Sequence, residues 1–100
     1  MSTKRETRRR PSYYIRTPDR WVQSRFFRGR AYCLVGAIRH CEWLGYLTSH
    51  QINELLGATQ RMAGYGYGGA ALWNDCPGRT HAEVLAVLKR AEAEVLGEEA

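Results

Sequence analysis

The chain has 100 residues, of which 44% are hydrophobic and 25% are charged, and its formal net charge is +5. These values are typical of one soluble globular domain and exclude a two-domain protein. No apolar run approaches the roughly 18 residues that a membrane span needs, and no apolar stretch follows the basic N-terminus as it would in a secretory signal. We therefore expect a cytoplasmic protein without a membrane partner.

The basic residues are concentrated at the N-terminal end of the chain. Residues 1–30 contain ten Lys or Arg and two acidic residues, a net +8, whereas residues 31–100 carry a net −3. Residues 1–12 have almost no apolar content, so they are predicted to form a disordered basic arm, followed by one globular domain over residues 13–97. A positive arm on a mildly acidic body indicates binding to a polyanion. The candidate nucleic-acid contacts are Lys4, Arg5, Arg8, Arg9, Arg10, Arg16, Arg25, Arg28 and Arg30.

Residues 21–32 fit a short β-hairpin, with a helix through Phe27 as the competing interpretation. Side chains alternate from Trp21 to Phe27, residues 28–30 would form the turn, and Ala31 would start the return strand. Aromatic residues lie among the arginines of this region and can stack on unpaired bases. They are Tyr13, Tyr14, Trp21, Phe26 and Phe27.

A first helix is predicted at about residues 33–45, where apolar residues fall mostly on one face. Gly36 lies inside it and costs about 1 kcal/mol relative to alanine, which indicates close packing by a neighbouring element. Gly45 is a natural C-terminal stop. A second helix is predicted at about residues 49–61, because Thr48 and Gln51 have the spacing of a capping box.

Residues 63–69 are too rich in glycine for a stable helix or central strand. We expect a flexible loop there that presents Tyr65 and Tyr67 to a protein partner, because tyrosine supplies contact area at a low entropic cost.

The run from Trp73 to Val84 is predicted to be a tight polar loop that begins the last helix, residues 81–96. Thr80 and Glu83 have the spacing of a second capping box. As a functional alternative, polar residues of this run would form the rim of a pocket with a tryptophan as its floor. The candidate pocket residues are Trp21, Gln23, Trp73, Asn74, Asp75 and Arg79.

These elements predict a mainly α fold: a small three-helix domain with a short β-hairpin and a flexible basic N-terminal arm. We expect the apolar faces of the three helices to meet. We also expect Trp21, Trp43 and Trp73 to fill the core or its edge.

The cysteines and histidines do not have the spacing of a zinc site. Cys33, His40, Cys41, Cys76 and His81 offer C-x6-H-C and C-x4-H spacings, and no C-x2-C pair is present. We therefore predict neither a metal nor a cofactor. Three cysteines also make an odd number, which argues against a closed disulfide framework and favours reduced thiols.

Cysteine-dependent catalysis is an alternative hypothesis. Cys33 lies near a predicted helix N-terminus, where the helix dipole can lower the pKa of a thiol. His81 or His50 would serve as the base, with Asn74 or Asp75 orienting it. The sequence does not show that these residues converge, so the interpretation leans towards a protein that is not an enzyme.

Three motifs run through the chain: Trp21-x-Gln23, Cys33-Leu34-x-Gly36-Ala37, and an Asn-Asp-x-Pro-Gly-Arg-Thr-x-x-Glu-Val run at residues 74–84. Together they resemble a family of small uncharacterised proteins of actinobacteria and their bacteriophages. The resemblance covers about residues 17–96. It implies a compact, mainly helical domain of bacterial or phage origin, located in the cytoplasm of the host cell, and it implies no activity.

Two functional hypotheses lead. In the first, a non-enzymatic binding protein docks its basic N-terminal arm on nucleic acid or on a nucleoprotein complex. In the second, a protein-interaction module modulates a host factor, as a phage accessory or anti-defence protein would. Catalysis by Cys33 is the third.

Overall fold

A computed structural model describes residues 7–64 and 69–97 of the chain. The predicted contacts Lys4, Arg5, Tyr65 and Tyr67 lie outside these residues. The described helices are α1 (Leu34–Trp43), α2 (Ser49–Ala63), α3 (Gly69–Asn74) and α4 (His81–Leu96), with 3-10 turns at Pro11–Ile15 and Pro18–Arg20. Strands β1 (Phe27–Arg28) and β2 (Ala31–Tyr32) form an antiparallel hairpin. The predicted mainly α fold with a small hairpin is confirmed.

Both predicted capping boxes are present. The Thr48 hydroxyl accepts from the Gln51 amide in α2, the Thr80 hydroxyl accepts from the Glu83 amide in α4, and both reciprocal bonds are made. These bonds satisfy amides that have no partner inside the helix. Helix α4 has the predicted bounds, α2 runs two residues further than predicted, and α1 ends at Trp43, just before the left-handed Gly45.

Helix α3 corrects the loop that was predicted to begin at Trp73. Residues 69–74 are helical, so Trp73 and Asn74 end a helix instead of beginning a loop. The predicted glycine-rich loop is corrected at its ends, because Ala63 ends α2 and Gly69 begins α3, whereas residues 65–68 lie outside the described residues. Ala70 and Trp73 are buried in the core, and packing against α1 and α2 stabilises a helix that is too short to be stable alone.

The core lies where the three long helices meet, as predicted. Its buried members are Ile15, Leu34, Ala37, Ile38, Ile52, Leu55, Ala58, Ala70, Trp73, Val84, Leu88 and Ala91. The three tryptophans differ in burial: Trp73 is buried, Trp21 packs against the core from its edge, and Trp43 is 81% exposed. The expectation that Trp43 fills the core or its edge is therefore wrong. Trp43 lies at the end of α1, on a face that no other described element covers.

The hairpin is shorter than predicted, because the strands contain only two residues each. Trp21 forms an isolated parallel bridge with Tyr32, and Ser24 adopts a positive φ of 68°. Residues 22–24 bond instead to the segment after α3, which takes them out of the predicted strand.

Gly36 is in close contact with a neighbouring segment, as its position inside a helix predicted. A Cβ atom on Gly36 would lie 2.0 Å from the Phe26 carbonyl oxygen. The same carbonyl accepts a hydrogen bond of 3.0 Å from the Cys33 amide. The backbone before the hairpin therefore lies directly on α1, and only glycine leaves room for it.

The start of the folded body is held by a buried carboxylate. Glu92 of α4 is 2% exposed and accepts hydrogen bonds of 2.7 Å from both the amide and the hydroxyl of Ser12. Pro11 is also buried. Ser12, which the sequence analysis assigned to the disordered arm, thus contacts the last helix. The Arg10 amide also donates to the Thr7 carbonyl at 3.1 Å, so residues 7–12 of the predicted disordered arm have defined positions. The rest of the predicted arm, residues 1–6, lies outside the described residues.

We expect Gly36→Ala to lower the free energy of unfolding by about 2–3 kcal/mol, because the added methyl group forces the backbone of Phe26 off α1. The measurement is chemical denaturation. The matched control is Gly57→Ala, a glycine inside α2 whose Cβ would meet no atom within 4 Å. It should raise stability by up to about 1 kcal/mol. Equal effects of the two substitutions would contradict the close contact.

Candidate functional site

The predicted pocket is centred on Asn74, whose side chain is completely buried. Its Oδ1 accepts hydrogen bonds from Trp21 Nε1 at 2.7 Å and from the Leu34 amide at 3.1 Å. Its Nδ2 donates to the Val22 carbonyl at 3.2 Å and to Asp75 Oδ1 at 3.0 Å. Every donor and acceptor of this amide is therefore used inside the protein.

Gln23 and Asp75 extend the same network. Gln23 Nε2 donates to the carbonyls of Asn74 and Cys76, at 2.9 and 3.0 Å. Asp75 Oδ1 also accepts from the Ser24 amide at 2.8 Å. The Trp-x-Gln, Cys-Leu and Asn-Asp motifs thus meet at one point, and their polar groups bond to one another.

Arg79 closes this region from the other side. Its Nε donates to the Trp73 carbonyl at 3.0 Å, and its guanidinium carbon lies 4.2 Å from the centre of the Trp73 ring. A further nitrogen pairs with Glu83 at 3.2 Å. All six predicted pocket residues are brought together, and their bonds are those of a structural junction.

The geometry gives Cys33 a structural role. Its Sγ accepts a hydrogen bond of 3.2 Å from the Gly36 amide, so the thiol caps α1. Burial raises the pKa of Cys33, which is opposite to the lowering that a nucleophile needs. His81 Nε2 lies 2.6 Å from the Ile15 carbonyl, an acceptor, so this nitrogen carries a proton and cannot serve as a base.

In the described ranges, no group of three or more His, Cys, Asp or Glu side chains is placed to hold a metal ion. All three cysteines lie in the described part of the chain, and none forms a disulfide. Among the described helices, none has both the length and the apolar character needed to cross a membrane.

A different feature is open to solvent: a groove of about 360 Å³ between the hairpin and α1. We call it the aromatic groove. Its lining residues are Phe26, Phe27, Tyr32, Gly36, Arg39, His40 and Trp43. Phe26, Phe27 and Trp43 are 61%, 64% and 81% exposed, so three large rings face water here. Exposed apolar clusters of this kind mark interaction sites.

The rings of the groove are held by contacts among themselves. His40 stacks on Trp43 with a centroid distance of 6.1 Å and an interplanar angle of 18°. It also lies 4.8 Å from the Tyr32 ring, which in turn lies 6.4 Å from Phe27. Burial lowers the pKa of His40, so its ring is uncharged at neutral pH.

The backbone of the basic N-terminal segment is linked to this groove through Tyr14. The Tyr14 hydroxyl donates to the Arg8 carbonyl at 2.9 Å, and the Tyr14 ring meets the His40 ring edge-on at 4.8 Å. Burial raises the pKa of Tyr14 to about 12, so the hydroxyl remains a donor. Arg9 lies over the Tyr46 ring at 5.7 Å. Tyr14 therefore connects the basic arm to a wall of the groove.

The other predicted arginines are also on the surface. Arg25, Arg28 and Arg30 are exposed in the segment that carries Phe26 and Phe27. Arg16 is exposed and stacks 3.9 Å above the Tyr13 ring. The sequence therefore predicts the aromatic and basic residues on the hairpin side of the groove. It does not predict that Trp43, His40 and Arg39 line the groove, since their spacing is that of ordinary core and surface residues of a helix.

We expect Asn74→Ala to lower the free energy of unfolding by about 3 kcal/mol or more, because it leaves Trp21 Nε1, the Leu34 amide and the Val22 carbonyl without this partner. Denaturant unfolding followed by tryptophan fluorescence measures this change. Asn53→Ala, at an exposed position of α2, is the control and should change stability by less than about 0.5 kcal/mol. A similar small effect at Asn74 would show that the network is dispensable.

We expect alkylation of the native protein at neutral pH to modify Cys76 before Cys33 and Cys41. Cys76 is partly exposed, whereas both others are buried, and burial raises the pKa of Cys41 to about 12. Burial raises the pKa of both Cys33 and Cys41, so these thiols stay protonated at neutral pH and form the reactive thiolate only at higher pH. Mass spectrometry of the digested protein gives the order, and denatured protein is the control. Labelling of native Cys33 faster than Cys33 in denatured protein would restore the nucleophile hypothesis.

Comparison with known proteins gives one match. A family model, described as a family of unknown function (DUF6197), matches residues 2–94. No curated protein and no solved structure matches the chain. The predicted resemblance to an uncharacterised family is therefore supported at the level of the family, and the chain belongs to this family of unknown function, DUF6197.

Proposed function

We propose that this protein is a non-enzymatic nucleic-acid-binding protein that neutralises phosphates with the basic residues of its N-terminal third. The observation that carries the proposal is the hydrogen bond from the Tyr14 hydroxyl to the Arg8 main-chain carbonyl, because the Tyr14 ring also contacts His40 in the wall of the aromatic groove. The family resemblance predicts a bacterial or phage origin. The cytoplasm of such a cell, where nucleic acid is abundant, is where we expect the binding to occur.

The distribution of charge supports a polyanion as the partner. Residues 1–30 carry a net +8, whereas the remaining residues carry a net −3. In the rest of the described body, exposed basic residues are frequently paired: Arg61 with Glu94, and Arg39 with Glu42 at 3.0 Å. The positive potential is therefore strongest at the N-terminal end, and this is the end that a phosphate backbone would approach.

Catalysis has less support, and the protein-partner hypothesis, which rests on Tyr65 and Tyr67 outside the described residues, stays an alternative. The thiol assigned to catalysis, Cys33, is buried and caps a helix. The polar groups of the Asn74 junction are bonded within the protein.

The test is a salt series of binding to fluorescently labelled DNA and RNA with a pair of charge-matched double variants. Arg8→Ala/Arg9→Ala removes two exposed charges from the basic arm, and Lys89→Ala/Arg90→Ala removes two exposed charges from α4. We expect the first pair to weaken binding and to flatten the slope of log K against log salt by up to about 2, and the second to change neither.

Circular dichroism and thermal unfolding check that both variants remain folded, as surface substitutions of this kind should. Negligible binding by the wild-type protein at low salt would overturn the proposal. Equal losses in the two double variants would also overturn it, because the binding would then follow net charge alone.

A further inference from the structure

We propose that the aromatic groove is a subsite for an unpaired nucleobase, so that the protein prefers single-stranded to duplex nucleic acid. This inference rests on the proposed function and specifies its ligand. Three observations support it: the exposed aromatic lining of the groove, the arginines of the neighbouring hairpin, and the link from the groove to the basic arm through Tyr14.

The groove offers aromatic faces that are largely open to solvent. Trp43 is 81% exposed and stacks on His40, and Phe26 and Phe27, which also line the groove, are 61% and 64% exposed. The volume of about 360 Å³ lies at the lower end of the range of about 300–1,000 Å³ for small-molecule pockets. A planar heterocycle can enter this space and stack on the indole, as bases do on the aromatic platforms of single-strand-binding proteins.

The charge beside the groove favours an anionic ligand over a cationic one. Arg39 lines the groove but is paired with Glu42 at 3.0 Å, so the positive charge comes mainly from Arg25, which is exposed next to Phe26. Burial lowers the pKa of His40, so its ring is uncharged at neutral pH and presents a neutral aromatic surface to a base. Positive charge at an aromatic pocket disfavours a quaternary ammonium or a methylated lysine, which aromatic cages otherwise bind.

The phosphates attached to a bound base would meet basic residues of the hairpin side. Arg28 and Arg30 are exposed in the segment that carries Phe26 and Phe27, and the backbone of the basic arm approaches the His40 wall where Tyr14 bonds to the Arg8 carbonyl. The ligand that combines an apolar flat ring with flanking negative charges is a nucleotide in a flexible strand. In a duplex the base faces are stacked on their neighbours and cannot reach such a groove without being flipped out.

The experiment compares three probes of equal length: an oligothymidylate, a duplex, and an oligonucleotide of abasic sites that keeps the phosphates but lacks the bases. We expect the wild-type protein to bind oligothymidylate most tightly. Trp43→Ala should weaken that binding about tenfold and leave duplex and abasic binding unchanged, because it removes the stacking surface but no charge. Trp43→Phe, which keeps an aromatic face, should retain most of the affinity.

The matched control is Leu72→Ala, which removes another large apolar side chain, 62% exposed, from a position outside the groove. It should leave all three affinities unchanged.

The outcomes separate the two proposals. If all probes bind the wild-type protein equally and Trp43→Ala changes nothing, the groove has another occupant, such as a protein. The inference then fails, while nucleic-acid binding stands. If none of the probes binds at low salt, the proposed function fails and the inference with it. A loss of affinity for oligothymidylate alone in Trp43→Ala supports both.

Discussion

The buried amide of Asn74 is the interaction on which the rest of the structure depends. Three segments that are separate in sequence meet at this side chain: the Trp21–Val22 segment, the start of α1, and the junction between α3 and the loop that begins with Asp75. A buried amide costs free energy unless its donors and acceptors are paired, and here each one is. The geometry at this point is therefore specified, because moving any of these segments away leaves a polar group without its partner.

This constraint determines the position of the aromatic groove. The bonds of residues 22–24 to the segment after α3 hold the chain against α1, where the carbonyl of Phe26 rests on Gly36. The rings of Phe26 and Phe27 are then directed away from the core and across from Trp43. Without the contact at Gly36 the hairpin would stand further from the helix, and the groove would lose one of its walls.

The sequence predicted the parts of the fold that local rules govern. Both capping boxes and the close approach at Gly36 follow from spacing and from the cost of glycine in a helix. Helix α3 and the exposure of Trp43 did not follow, because each depends on which segments pack together. The sequence predicted only one part of the aromatic groove. Its arginines and phenylalanines are recognisable as an interleaved run, whereas His40 and Trp43 have the spacing of an ordinary helix, and their place in the groove depends on tertiary packing.

The fold brings together two features that are separate in the sequence, the basic N-terminal arm and the aromatic groove. Ser12 is fixed to Glu92, and Tyr14 links the Arg8 carbonyl to His40, so the basic arm leaves the body beside the groove. Charge alone would provide affinity without selectivity, and an aromatic surface alone would be a site for any apolar partner. Their juxtaposition narrows the choice of ligand, because phosphate contacts position a strand and stacking then distinguishes unpaired bases from paired ones.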